Sequence, residues 1–261
     1  MTNEKVIRQF YADGREENRS LLSRSGGIEF YYTKKTIGNY INRESSVVEI
    51  GCGTGYYGMY FSDKCKEYTG IDITPENIKI FNEKIEDKKI KNIKTIVGDA
   101  AKLDNINDLS FDVVLVLGPM YHLPPEERKS VFQESRRICK NNGIIIYSYI
   151  NKLGAYLQEG ILGGSEVYPN QKANEYVLVK EIDDIRPELF IYTTPEDIGE
   201  QAKSFGLKIL KNVGIDFLFN KKRIDEMDNE KYKCWIEFSD YMCDSESCTG
   251  LSIHALLVCK K

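Results

Sequence analysis

Within these 261 residues, one stretch has the glycine spacing of a ligand-binding turn. Val47-Val48-Glu49-Ile50-Gly51-Cys52-Gly53-Thr54-Gly55 is a β-branched run that ends in a glycine turn opening a helix. A tight turn there demands positive φ, and a ligand approaching the backbone must meet no Cβ, so both needs select glycine. Asp72 closes a second apolar run 17 residues after Gly55, and Asp99 follows a third. Carboxylates at such strand ends are placed to accept protons from a ligand. The chain holds only two histidines. His122 follows a fourth apolar run and titrates in the range of a general base. Fixing its loop by a hydrogen bond, or lining a pocket, are the other roles open to it. Its neighbour Tyr121 is suited either to hydrogen-bond a ligand or to pack as wall. His254 lies inside a final strand and reads as structural.

The elements that must position these residues alternate. Strand-like runs at 46–50, 68–73, 94–97, 111–117 and 143–149 are separated by amphipathic helices. Thr74-Pro75-Glu76 starts one helix with Ile78, Phe81 and Ile85 at helical spacing. Pro124-Pro125 starts another, carrying Val131, Phe132, Ser135 and Ile138 on one side. Thr194-Pro195-Glu196 starts a third. This order predicts an α/β fold: a Rossmann-like, seven-stranded, mostly parallel sheet with helices on both faces and the last strand antiparallel. Its final strands are expected at 208–213 and 251–259, around a charged helical stretch at about 221–243. After the fifth strand the rhythm breaks. Residues 151–192 read as an inserted cap with glycine-rich turns at Gly154 and at Gly160 to Gly164, and with strand-like pieces at 175–181 and 188–193. Residues 1–43 read as a helical cover, and the whole 1–261 as a single domain.

The Gly51-Cys52-Gly53-Thr54-Gly55 spacing departs from a dinucleotide fingerprint, which would want glycine where Tyr56 stands. With Glu49 two residues before Gly51, it resembles motif I of class I S-adenosylmethionine (SAM) dependent methyltransferases. Asp72 matches the acid that in this family holds the ribose hydroxyls, and Asp99 the one that takes an adenine amino proton. Leu117-Gly118-Pro119-Met120-Tyr121-His122-Leu123 resembles the LGPLYHL motif of a bacterial small-molecule branch. The resemblance implies SAM as cofactor, held by Glu49, Gly51, Cys52, Gly53, Gly55, Asp72, Ile73, Asp99, Ala100, Leu117 and Gly118. It places Tyr121 and His122 beside the reacting methyl group. Enzymes of the family that act on conjugated amino nitrogens carry Asn or Asp before Pro-Pro-Tyr or Phe after this strand. Gly118-Pro119-Met120-Tyr121 lacks that acceptor, which disfavours such substrates. In similar enzymes an amino-terminal segment, here with Phe10, Tyr11 and Glu29-Phe30-Tyr31-Tyr32, lies over the cofactor. Tyr156, Tyr168, Tyr176, Arg186 and Tyr192 of the insertion would form the other side of the mouth.

Composition narrows the partners. Thirty-six basic against forty acidic residues give a net charge of −4, which offers no global positive field to draw the chain onto nucleic acid. Mean hydropathy of −0.41 fits a soluble chain, and the amino-terminal sequence lacks the apolar core of a signal peptide, so a cytoplasmic location without membrane attachment is expected. Seven scattered cysteines read as free thiols. Cys234, Cys243 and Cys248 lack the CxxC spacing of a zinc site, and no metal is expected. The reading is methyl transfer to a small-molecule O, N or S nucleophile by a monomer or homodimer. An RNA or protein methyltransferase on the same fold, or a non-catalytic SAM-binding protein, are the alternatives.

Overall fold

The computed structural model describes residues 4–11, 23–162, 169–183 and 186–261. Helices α1 (Glu4–Tyr11) and α2 (Arg24–Gly38) precede β1 (Ser46–Ile50), α3 (Tyr56–Phe61), β2 (Glu67–Asp72), α4 (Pro75–Asp87) and β3 (Ile93–Val97). Next come β4 (Phe111–Val116), α5 (Pro125–Ile138) and β5 (Cys139–Ile150). The insertion carries α6 (Lys152–Ala155) and α7 (Gln171–Ala173), each running on into a wider π-helical turn. The chain finishes with α8 (Pro195–Ser204), β6 (Lys208–Gly214), α9 (Lys221–Asp225), α10 (Asn229–Asp244) and β7 (His254–Lys260).

The seven strands make one sheet in the order β3-β2-β1-β4-β5-β7-β6. The pairings from β3 to β5 are parallel, whereas β7 runs antiparallel to both β5 and β6, as the pattern predicts. Every residue of β1 is buried, and the two-residue period divides each central strand between two cores. Val48, Ile50, Val114, Val116, Ile145 and Tyr147 pack with Val131, Phe132 and Ile138 of α5 and Ile198 and Ala202 of α8. Val47, Val113, Leu115 and Ile146 face the other way, against α2, α3, α4 and Ile224 of α9.

Three sequence expectations are corrected. Residues 175–181 do not form a strand. The Asn170 side chain accepts the Ala173 N–H and opens a helical turn that continues through Val179. Val177 is buried while Val179 is 75% exposed, so the apolar residues break the two-residue alternation that a strand requires. Residues 188–193 contribute only isolated bridges, Ile182 with Ile191 and Asn151 with Thr193. The stretch 221–243 is two helices, because Asp228 leaves helical backbone and caps α10 by accepting the Lys231 N–H.

Phe81 of α4 explains why the helix after the glycine turn can lie so close to the sheet. A Cβ on Gly55 would stand 2.1 Å from the Phe81 ring, and Gly55 also has φ of +85°. Gly55→Ala is expected to cost roughly 2–4 kcal/mol, combining left-handed backbone strain with overpacking. Denaturant unfolding checks this, and adding Phe81→Leu should recover part of the loss by shortening the ring that collides.

Candidate functional site

A cavity of about 730 Å³ opens at the carboxyl edge of the sheet, where strand order reverses between β1 and β4. Open α/β sheets bind ligands at that edge. Its first end is built on the glycine turn. Gly51 has φ of +81°, and a Cβ there would lie 2.8 Å from Pro119 Cδ. Gly53 differs: at φ +51° a Cβ would meet no protein atom within 4 Å, so Gly53 borders space that a ligand can fill. The Asp72 carboxylate accepts the Gly53 N–H at 2.8 Å, the Thr74 N–H at 2.9 Å and the Asn77 amide at 3.2 Å. A carboxylate has about four acceptor positions, which leaves capacity for a ligand hydroxyl. Thr74 stands at the N-cap of α4, yet its hydroxyl makes no cap bond, and its oxygen is buried without a hydrogen-bond partner. Glu49 is also buried and accepts the Tyr68 O–H at 2.6 Å. Burial pushes its carboxyl up to about 8 despite that donated bond.

The second end is walled by aromatic rings from the cover and the insertion. His122, on the loop after β4, faces Leu189 O through Nδ1 at 2.8 Å and Tyr11 Oη through Nε2 at 3.2 Å. A carbonyl can only accept, so Nδ1 carries the proton and Nε2 accepts from Tyr11. Burial holds the imidazole neutral, pushing it down to about 4. Arg128 of α5, fully buried, donates from Nε to Met120 O at 2.7 Å and from Nη2 to Ile191 O at 3.2 Å, tying the β4 loop to the insertion. At the start of β7, His254 lines the cavity and Asp216 lies 2.6 Å from its Nδ1.

The structure gathers Glu49, Gly51, Cys52, Gly53, Asp72, Ile73, Asp99, Ala100, Leu117, Gly118, Tyr121 and His122 around this one cavity. Gly55 is the exception; it serves the packing of Phe81 instead. Phe10, Tyr11, Glu29 and Phe30 line the cavity, whereas Tyr32 is buried against the α10 backbone, donating to Ile236 O. Of the insertion residues, Tyr156, Arg186 and Tyr192 reach it; Tyr176 is not part of the wall, and Tyr168 lies outside the described residues. Sequence reasoning missed Arg128, although positions 128, 131, 132 and 135 share one helical face. It also missed Asp216, for which only the topology supplies a signal.

Residues 47–143 match the family model for a methyltransferase domain. The uncharacterized methyltransferase YcgJ of Bacillus subtilis is 30% identical over 100 residues, 38% of each chain. The first three curated relatives are matched over 38%, 54% and 60% of their own length. Among solved structures, a SAM-dependent methyltransferase from Methanosarcina mazei superposes with a TM-score of 0.57 at 16% identity, over 87% of this chain and 96% of that one. The 4+2 cyclase SpnF gives a TM-score of 0.65 at 14% identity, over 100% of this chain and 96% of that one. At such identities the structures share the fold. Among the described residues no helix is long and apolar enough to cross a membrane, and no group of three or more His, Cys, Asp or Glu is placed to hold a metal ion.

The raised Glu49 carboxyl has a measurable consequence. An unfolded glutamate releases its proton near about 4.3, while folded Glu49 keeps it to about 8. Across that window the folded state binds more protons, so stability falls as pH rises. Melting temperatures of the unliganded protein between about pH 5 and 8 should decline, and Glu49→Gln should flatten the decline while keeping the Tyr68 bond.

Proposed function

We propose that this chain, whose residues 47–143 form a methyltransferase domain on the fold of SAM-dependent enzymes, transfers a methyl group from SAM to a small-molecule acceptor. The observation that carries the reading is one continuous cavity with two unlike ends. The first end, of glycine turn and strand-end carboxylates, suits a nucleoside bearing an amino acid. Gly53 borders room for such a group, Asp72 keeps an acceptor position for a ribose hydroxyl, and Asp99 is placed for the adenine amino group. Glu49, Gly51, Cys52, Ile73, Ala100, Leu117 and Gly118 complete this wall. When bound, SAM supplies a methyl carbon made electrophilic by the sulfonium.

The second end suits a small acceptor. Tyr11 and Phe10 of α1, and Tyr156, Phe190 and Tyr192 of the insertion enclose it, while Phe30 of α2 packs on Tyr56 and Tyr57 beside the glycine turn. A cavity of about 730 Å³ falls in the range of small-molecule sites. Methyl transfer depends mainly on orienting the acceptor and excluding water, which a cover and a cap accomplish. His122 joins the two, gripping Leu189 of the insertion with one nitrogen and Tyr11 of the cover with the other. Tyr121 packs its ring beside Phe190 and His122. The net charge of −4 and this enclosure favour a small acceptor over RNA or protein. Non-methylating use of the same fold is the second reading, favoured by the full-length likeness to a cyclase.

Calorimetric titration with SAM tests the cofactor, and methyl transfer from labelled SAM into fractionated extract tests the activity. Asp72→Ala should weaken SAM binding by roughly 1–3 kcal/mol, since it removes an acceptor and also releases the Gly53 N–H. Gly53→Ala should remain folded yet bind SAM at least about tenfold more weakly, because its methyl enters ligand space at a strained φ. Equal affinity in both variants would overturn the cofactor site.

His122→Asn separates grip from base catalysis. If His122 acts by holding Tyr11, the variant should raise the acceptor KM and leave the shape of the pH profile unchanged. A base at His122 would instead give the wild type an acidic limb near about 4, absent from the variant.

A further inference from the structure

We infer that the methyl acceptor is a planar molecule bearing a carboxylate, and that Arg186 of the insertion holds this carboxylate and so fixes which end of the molecule faces the methyl group. This deepens the methyl-transfer reading and rests on it. Arg186 lines the cavity, and among the described residues it is the only lysine or arginine that does. Glu29, Glu49, Asp72, Asp99 and Asp183 line the same cavity, so its walls are otherwise rich in carboxyl groups. An anionic acceptor is therefore disfavoured everywhere in it except beside Arg186. Arg186 is also exposed, which lets it meet an arriving anion first.

The chain around Arg186 is tied into one turn. The Asp183 side chain accepts the Arg186 N–H, and the Arg186 carbonyl accepts the Leu189 N–H at 2.9 Å and the Phe190 N–H at 3.2 Å. The Asp183 N–H closes the turn by donating to Phe190 O at 3.1 Å, and His122 Nδ1 fastens it to the loop after β4 by donating to Leu189 O. From this turn the guanidinium carbon of Arg186 lies over two rings, 5.4 Å from the centre of Phe10 and 6.0 Å from that of Phe190. A guanidinium is attracted to ring faces, while its five N–H groups point outward in its own plane, so this packing leaves the donors open. Asp183 does not take them, because its carboxylate receives the Arg186 backbone N–H and the Tyr192 O–H. Among the described residues no other acceptor bonds the guanidinium.

Its place in the cavity makes this cation a specificity element. Phe190 stacks on His122 at 5.5 Å with an interplanar angle of 29°, so two ring contacts separate the guanidinium from the loop after β4, where the methyl group is expected. An acceptor about one ring long spans that interval, with its carboxylate on Arg186 and its opposite end toward Tyr121 and His122. Tyr121, Tyr156 and Tyr192 add aromatic surface to this end of the cavity, against which a planar acceptor can pack. A single guanidinium matches a carboxylate both in charge and in its two-pronged geometry. The second negative charge of a phosphate would instead meet the surrounding carboxyl groups.

The probes are benzoate and its uncharged isostere benzamide, titrated into the full chain with and without saturating S-adenosylhomocysteine. Wild type should bind benzoate at least about tenfold more tightly than benzamide, as a charge-assisted two-pronged pair requires. Arg186→Gln should lose that preference while binding benzamide within about threefold of wild type, and Arg186→Lys, which keeps the charge without the planar fork, should retain only part of it. Should either variant fail to fold, nitrogen NMR of the wild-type chain reads the contact directly, the Arg186 Nε–H signal moving with benzoate and not with benzamide. Equal affinity of wild type for the two probes, failure to bind benzoate, tighter binding of phenyl phosphate than of benzoate, or a preference that survives Arg186→Gln would each overturn the inference. A preference for benzoate that depends on Arg186, in a chain that shows no calorimetric binding of SAM, would overturn the methyl-transfer reading instead.

Discussion

A single carboxylate holds the ligand edge together. Asp72 ends β2 and reaches across to the turn after β1 through the Gly53 N–H, while its other oxygen takes the Thr74 N–H at the start of α4 and the Asn77 amide. Two strand ends and one helix start therefore share one buried acceptor. The glycine turn needs this tie, because three residues at positive φ have little intrinsic preference for one conformation. On the opposite side Phe81 presses against Gly55, Gly58 and Gly70, so the turn is pinned by packing as well as by hydrogen bonds. Together these contacts preorganise the edge, and a preorganised edge lowers the entropy cost of holding a ligand.

The central sheet was legible because short β-branched and apolar runs alternate with amphipathic helices. The run at 111–117 reads as a strand buried on both faces, and parallel pairing followed from the helices between the runs. The first cavity end was legible for the same reason, since it lies on strand ends and one short turn. The insertion was not. Its apolar residues near 175–181 are as compatible with a strand as with a helical turn, and only the opposite burial of Val177 and Val179 distinguishes the two. Gly55 was assigned to ligand contact because turn glycines look alike in sequence, while the reason for this one is the ring of a residue 26 positions later.

Position along the chain leaves His122 open as base, loop anchor or pocket wall and makes His254 structural, and in the fold both line the cavity. His122 sits in the loop where a ligand is expected, and the fold engages both of its nitrogens to join cover and insertion. Arg128 does the same one layer beneath, with its charge spread over Met120 and Ile191 carbonyls. Removing either grip would leave buried carbonyls without donors, at about 1–3 kcal/mol each. Cover and insertion are thus joined through the Tyr11 hydroxyl, the His122 ring and the Leu189 and Ile191 carbonyls.

His254 reads as structural in the sequence because its context is that of a core strand, Ala255 to Cys259 being fully buried. What makes it different is direction. In a wholly parallel sheet, every strand arrives at the ligand edge by its carboxyl end, and functional residues lie in the loops that follow. The one strand that runs the other way brings its first residue to that edge instead. Strand β6, on its far side, then ends where β7 begins, so a buried carboxylate and an imidazole 38 residues apart meet across the gap. A reversed strand inside an otherwise parallel sheet therefore brings its first residue, His254, to the cavity beside Asp216, which follows β6, and local sequence gives no sign of that pairing.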